Sequence, residues 1–124
     1  QWRIQNYLRA IDWAIGNRRS LDITILNNSN VYAHDNLRQN PFWGAAARQA
    51  VESGIVFVNA AGDGFVESIN GESIGSPASE PKVLSVGSVT PNNHLSFFSS
   101  RGNADAVEPA RKKPDVVAPG GIVR

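Results

Sequence analysis

The hydrophobic residues near the start of the chain recur at intervals of three and four positions. They are Ile4, Tyr7, Leu8, Ile11, Ala14 and Ile15. Such a stripe is typical of an amphipathic helix with one buried face, and it predicts a helix over residues 3–16. Gly16 and Asn17 follow the stripe, and both tolerate the left-handed backbone angles with which helices commonly end.

A second helix is predicted over residues 41–53. Asn40 is a good N-cap and Pro41 is well suited to the first helical turn. The stretch from Gly44 to Glu52 is rich in alanine, and small residues of this kind permit close packing of a helix on a sheet. Ser53-Gly54 then ends the segment.

Short apolar runs separate and follow these helices, and they predict strands over residues 22–27, 55–60, 83–88 and 115–118. The run Ile55–Val58 contains no polar alternation, which suits a strand covered on both faces in a parallel sheet. The order of helices and strands predicts right-handed crossovers and an α/β fold with a doubly wound, mainly parallel sheet.

Two loops are candidates for function, because binding residues in such sheets collect after the carboxyl ends of the strands. One is Asn27–Asn30 after the first predicted strand, and the other is Asn59–Asp63 after the second. The hydrophobic pattern by itself indicates a soluble α/β domain with these two loops and no particular chemistry.

Charge and length narrow the range of partners. The 124 residues suffice for one domain at most. With 12 basic and 11 acidic side chains the net charge is +1, so neither nucleic acid nor an anionic membrane is an expected partner. The absence of cysteine excludes disulfides and thiolate metal sites. The chain opens on Gln1 rather than methionine, from which we expect a segment of a longer protein.

Motifs in a fixed order carry the chemical information. They are Val58-Asn59-Ala60-Ala61-Gly62-Asp63, Ile74-Gly75-Ser76-Pro77-Ala78-Ser79 leading to Val83-Leu84-Ser85-Val86-Gly87, Phe98-Ser99-Ser100-Arg101-Gly102, and Lys113-Pro114-Asp115-Val116-Val117-Ala118-Pro119-Gly120. Each alone is weakly specific, but their order and spacing resemble the catalytic domain of the subtilisin-like serine proteases (subtilases). Upstream, Ile11–Ala14 and Leu21–Ile23 are similar to the helix and strand that precede the family's substrate-binding loop.

The resemblance implies that residues 1–124 are a partial subtilase domain with irregular C-terminal strands. The family hydrolyses peptide bonds with an Asp/His/Ser triad, and this segment lacks the triad-bearing flanks. His34 and His94 lack the triad context, and we expect both to lie in exposed loops or turns. The implied partner is a polypeptide substrate, with no cofactor, and no residue here is assignable to a metal or to calcium. A secreted or cell-surface location and self-association of the isolated segment are further expectations.

The resemblance also assigns site residues. Ala60, Ala61 and Gly62 correspond to one wall of the primary specificity pocket, and small residues there favour large apolar substrate side chains. Asn28 and Ser29 stand in the place of the opposite wall.

Asp63 occupies the place where most of the family carries the asparagine that donates a hydrogen bond to the oxyanion; a minority branch carries Asp there. An ionised carboxylate only accepts hydrogen bonds, whereas a protonated one can donate. Two interpretations of Asp63 therefore stay open, an oxyanion-hole variant and a loop residue that orders the turn before Gly64. Likewise, the longer protein is either an active endopeptidase or an inactive subtilase-fold domain for binding or structure.

Overall fold

The computed structural model describes residues 2–32, 42–64, 73–102 and 112–121. Their elements are, in chain order, α1 (Trp2–Asn17), β1 (Ile25–Asn28), α2 (Phe42–Glu52), β2 (Val56–Ala60), β3 (Leu84–Val89) and β4 (Val116–Pro119). The four strands form one sheet in the order β1-β2-β3-β4, and every neighbouring pair is parallel. The predicted α/β class and parallel sheet are confirmed.

The largest difference from the predicted boundaries lies at the start of β1. The strand begins at Ile25 rather than at residue 22, because the preceding residues form turns that close α1. The amides of Leu21 and Ile23 donate to the carbonyls of Asn17 and Arg18, at 3.0 and 2.9 Å. The predicted start of the second helix at Asn40-Pro41 lies outside the described residues.

The core lies between the two helices and one face of the sheet. It contains Ile11 from α1, Ala46, Ala47 and Ala50 from α2, Phe57 from β2, and Val83 just before β3. The alanines bring the backbone of α2 close to the sheet, as the composition of this helix predicts. The Tyr7 hydroxyl ties α1 to α2 by donating to the Trp43 carbonyl at 3.1 Å. Burial raises the pKa of Tyr7, with a smaller contribution from Tyr32, so this donor stays protonated.

An ion pair between the buried Lys113 and the partly exposed Asp115 joins the segment before β4 to β3. The Lys113 ammonium, only 5% exposed, donates to the Val83 carbonyl at 2.6 Å and to Asp115 Oδ2 at 2.6 Å. The same carboxylate oxygen accepts the Ser85 amide at 2.7 Å. A buried charge is tolerated when it is paired and hydrogen-bonded in this way. The Lys-Pro-Asp motif therefore fixes the strand that follows it.

The opposite face of the sheet is apolar and open. Ile25 and Val56 are 60% and 50% exposed, and the side chains of Leu84 and Val116 are also exposed. In the described ranges both helices pack on the other face, so the expectation that Ile55–Val58 is covered on both faces is wrong for this part of the chain. No helix of the described residues is long and apolar enough to cross a bilayer.

We expect Lys113→Ala to lower the free energy of unfolding by about 2–3 kcal/mol, less than the roughly 3–5 kcal/mol typical of a fully buried pair, because Asp115 is partly exposed. Denaturant titration measures the change. Lys112→Ala is the matched control, since Lys112 is exposed and its removal should stay within about 0.5 kcal/mol. Equal effects of the two variants would show that the ion pair does not hold β4.

The open face predicts that residues 1–124 by themselves self-associate, since exposed apolar sheet faces tend to pair. Leu84→Lys places a charge on this face and should shift the chain toward monomer in light scattering. Leu21→Lys makes the same change at an exposed leucine in the turn after α1 and should leave the association intact. A monodisperse wild-type monomer at tens of micromolar contradicts the prediction.

Candidate functional site

A cavity of about 660 Å³ lies at the edge of the sheet where the strands end. Its lining comes from all four strands and the segments beyond them: Asn27, Ser29, Asn30, Val31, Val58, Ala60, Ala61, Gly62, Asp63, Val86, Gly87, Ser88, Phe98, Ala118, Pro119 and Gly120. Both loops that the sequence singled out therefore border one space, as expected for a parallel sheet.

One wall is the turn that leaves β2. The Ala61 amide donates to the Val86 carbonyl at 2.8 Å, which extends the pairing with β3 past the end of the strand. Gly62 has φ +111°, where side chains are strained, and a Cβ there would lie 2.9 Å from Ser100 Oγ. The wall is consequently bare backbone and methyl groups, and its shape requires glycine at this position.

Ser100 holds the turn from both sides. Its amide donates to the Gly62 carbonyl at 2.8 Å, and its hydroxyl accepts the Gly64 amide at 3.1 Å. The Phe98–Gly102 motif thus orders the backbone around Asp63. Within the described residues the Asp63 carboxylate accepts no hydrogen bond, and its side chain is exposed at the cavity.

Asn28 and Ser29, which the sequence interpretation assigned together to the opposite wall, lie in different places in the structure. Ser29 lines the cavity together with Asn30, whereas Asn28 does not. Successive side chains of a strand point to opposite faces, so Asn28 lies on the helix-covered side, where its amide donates to Asn59 Oδ1. The sequence interpretation placed Asn59 in the second candidate loop but gave it no role in the site. The signal available was its position as the one polar residue between Ile55 and Gly62.

The third side belongs to β3 and β4, which the sequence interpretation did not assign to the site. The Ser88 hydroxyl lies 2.8 Å from that of Ser96, and the Ser88 amide donates to Ser99 Oγ at 2.9 Å. Gly120 approaches Ser88 so closely that a Cβ would lie 2.9 Å from Ser88 Oγ. The glycine that closes the last motif thus permits β4 to reach the cavity.

The model of the subtilase family matches residues 2–123. This chain belongs to the subtilase family. Among solved structures it is similar to the prenylagaramide maturation protease PagA, at 27% identity and a TM-score of 0.64 over 82% of this chain and 33% of that one. Sphericase is 25% identical with a TM-score of 0.66, over 91% and 37% of the two chains.

A cold-adapted subtilisin-like serine proteinase shares the fold, with a TM-score of 0.68 at 24% identity over 94% of this chain and 36% of that one. The subtilase chain described here thus spans about a third of the length of these solved relatives.

The histidines of this subtilase segment stand apart from the cavity or outside the described residues. His94 is exposed and follows the turn at Pro91-Asn92; its amide donates to Thr90 Oγ1 at 3.3 Å and its carbonyl accepts the Thr90 amide at 2.8 Å. The expected exposure of His94 is confirmed, but the turn itself lies just before it. His34 lies outside the described residues. In residues 2–32, 42–64, 73–102 and 112–121, no three His, Cys, Asp or Glu side chains are grouped to hold a metal ion.

We expect Gly62→Ala to destabilise the fold by about 1–3 kcal/mol, since it adds backbone strain and a contact with Ser100. Thermal unfolding measures the loss. Gly16→Ala is the control: Gly16 lies in α1 with no atom near its would-be Cβ, and alanine there should stabilise by roughly 0.5–1 kcal/mol. If Gly62→Ala leaves stability unchanged, the described turn is wrong.

Proposed function

We propose that this chain forms the substrate-binding part of a subtilisin-like serine endopeptidase that cleaves polypeptides. The proposal rests on the cavity between Ser29–Asn30 and Ala60–Gly62, which has Asp63 at its border. Its volume lies within the roughly 300–1,000 Å³ typical of small-ligand sites. The Asp/His/Ser triad is supplied by segments that these 124 residues do not contain, so the isolated chain cleaves no peptide bond.

The cavity accepts the side chain that precedes the scissile bond. Methyl groups and backbone line the wall at Ala60–Gly62, and Val58, Val86 and Phe98 add apolar surface. A wide space of this kind favours a large apolar side chain, because burial of its surface drives binding. The substrate carbonyl then lies beside Asp63. A secreted or cell-surface location accompanies this proposal on the ground of the family resemblance alone.

Asp63 takes the oxyanion position in the proposed reaction. The turn around it is ordered by Ser100, so turn formation does not require the carboxylate, and the unbonded side chain borders the cavity. When protonated, Asp63 donates to the developing oxyanion; when ionised, it places a negative charge where a donor is needed.

A second candidate function is a catalytically inactive subtilase-fold domain that binds peptides or other proteins. The acidic residue at the oxyanion position favours it, as does the position of Asn28 behind the wall rather than in it. The two candidates differ in turnover, which the following comparison measures.

In the full-length protein, Asp63→Asn should raise kcat on a peptide anilide at pH 8 by about 10- to 1,000-fold, because it restores a permanent donor. Asp12→Asn, at an exposed position of α1, removes the same charge away from the cavity and should leave the rate unchanged.

Equal kcat values of the wild type and Asp63→Asn at pH 8 contradict the oxyanion assignment. A full-length protein with no turnover in either form supports the binding domain instead. Phosphonate-sensitive hydrolysis by the isolated 124 residues would show that the triad assignment is wrong.

A further inference from the structure

Polar side chains form a row across the helix-covered face of the sheet, just behind the cavity. The strand register places Asn28 beside Asn59 and Asn59 beside Ser85. Asn59 is 0% exposed, and the residue two positions earlier on the same face is the core residue Phe57. Burial of an amide is unfavourable unless it is hydrogen-bonded, so the partners of Asn59 define what this residue does.

The Asn59 side chain uses both its acceptor and its donor group. Its Oδ1 accepts a short hydrogen bond from Asn28 Nδ2. Its Nδ2 donates to the carbonyl of Ala60 at 2.8 Å and to the carbonyl of Asn30 at 3.3 Å. Ala60 belongs to one wall of the cavity and Asn30 to the other. A single buried amide therefore bridges the two walls from behind.

Asn28 completes the bridge by folding the loop back on itself. Its Nδ2 donates to the Asn30 carbonyl at 3.0 Å. Its Oδ1 accepts the Asn30 amide at 3.3 Å and the Asn30 side-chain amide at 3.2 Å. Short side-chain-to-backbone bonds of this kind fix a loop in one conformation. The position of Ser29, between these two residues, follows from the same bonds.

The far end of the loop is anchored separately. The Tyr32 ring stacks on Trp43 with centroids 3.6 Å apart, and Tyr32 exchanges two backbone hydrogen bonds with Ser76, at 2.9 and 3.0 Å. Only the near end of the loop thus depends on Asn59. Loss of the Asn59 amide should release residues 28–31 while Tyr32 remains in place.

We propose that Asn59 is the positioning residue of the specificity cavity: by bridging Asn30 and Ala60 it sets the separation of the two walls and so the size of the substrate side chain accepted. This inference rests on the proposed function, because it concerns the preference of the same cavity. Asn59 itself lines no part of the cavity, and it acts through the residues that do.

The test compares Asn59→Leu with Ser85→Ala. Leucine fills a similar volume without hydrogen bonds, so the variant removes the bridge and leaves the core packed. Ser85 is the matched control from the same buried row. Its hydroxyl has no hydrogen-bond partner in the described structure, and Ser85 is not among the residues that line the cavity. Asn28→Ala removes the other half of the bridge at a less buried position. It replaces Asn59→Leu in the test if that variant does not fold.

The first measurement is amide hydrogen exchange of the full-length protein. Asn59→Leu and Asn28→Ala should each speed exchange of the Asn30 amide, which donates to Asn28 Oδ1, by about tenfold or more, while residues 55–58 of the β2 region stay protected. Ser85→Ala should change neither segment. Unchanged exchange of the Asn30 amide in both loop variants overturns the proposal whatever the activity of the protein.

The second measurement is kcat/KM of the full-length protein on peptides with Ala, Leu or Phe before the scissile bond. The ratio of kcat/KM for the Phe peptide to kcat/KM for the Ala peptide should change by about fivefold or more in Asn59→Leu, chiefly through KM. Selectivity is this sensitive because a single methylene group gained or lost in an apolar pocket changes it by about 10- to 200-fold. Ser85→Ala should keep the wild-type ratio. A loss of stability alone would scale all three substrates equally.

Faster exchange with an unchanged substrate ratio overturns the proposal, because Asn59 would then order the loop without setting specificity. Faster exchange in a full-length protein that cleaves no peptide supports the bridge between the walls and overturns the proposed function instead.

Discussion

The alternation of side chains along β2 is the constraint on which both the core and the cavity depend. Phe57 and Asn59 point to the helices, while Val56, Val58 and Ala60 point to the open face. β2 lies between β1 and β3 in the sheet. Its register with them therefore fixes which side chains of β1 and β3 point to the helices and which point to the open face. A shift of one residue would bury Ala60 and expel Phe57, and would remove the core and the cavity together.

The motifs that identify the family act here chiefly as structural ties around that strand. Ser100 binds the backbone on both sides of Asp63, and the Lys113–Asp115 pair binds the start of β3. Each tie joins segments that are distant in sequence. Ser100 ends at backbone groups beside the cavity, and the ion pair ends at backbone groups where β3 begins. The short motifs thus maintain the shape of a site to which only some of their side chains contribute directly.

The Asn28–Asn59 pair fixes the shape of the loop beside the cavity rather than adding to the apolar core. A pair of apolar residues at these positions would pack against the helices without the need to satisfy buried amides. The amides instead give the loop a defined distance from β2, which hydrophobic contact alone specifies less narrowly because it has little directionality. Buried polar groups that are fully hydrogen-bonded favour one arrangement over its competitors.

The sequence by itself determined the helices, the strands, their parallel arrangement and the family, because periodicity and contiguous motifs are local properties of the chain. It also identified the turn Ala60–Asp63, whose residues are consecutive. Only the tertiary structure decided that Ser29 borders the cavity while Asn28 lies behind it, since the two faces of a strand become distinct only when one is covered. The burial of Asn59 and the contribution of β3 and β4 to the cavity likewise depended on strand register, which brings residues from distant parts of the sequence to one edge of the sheet.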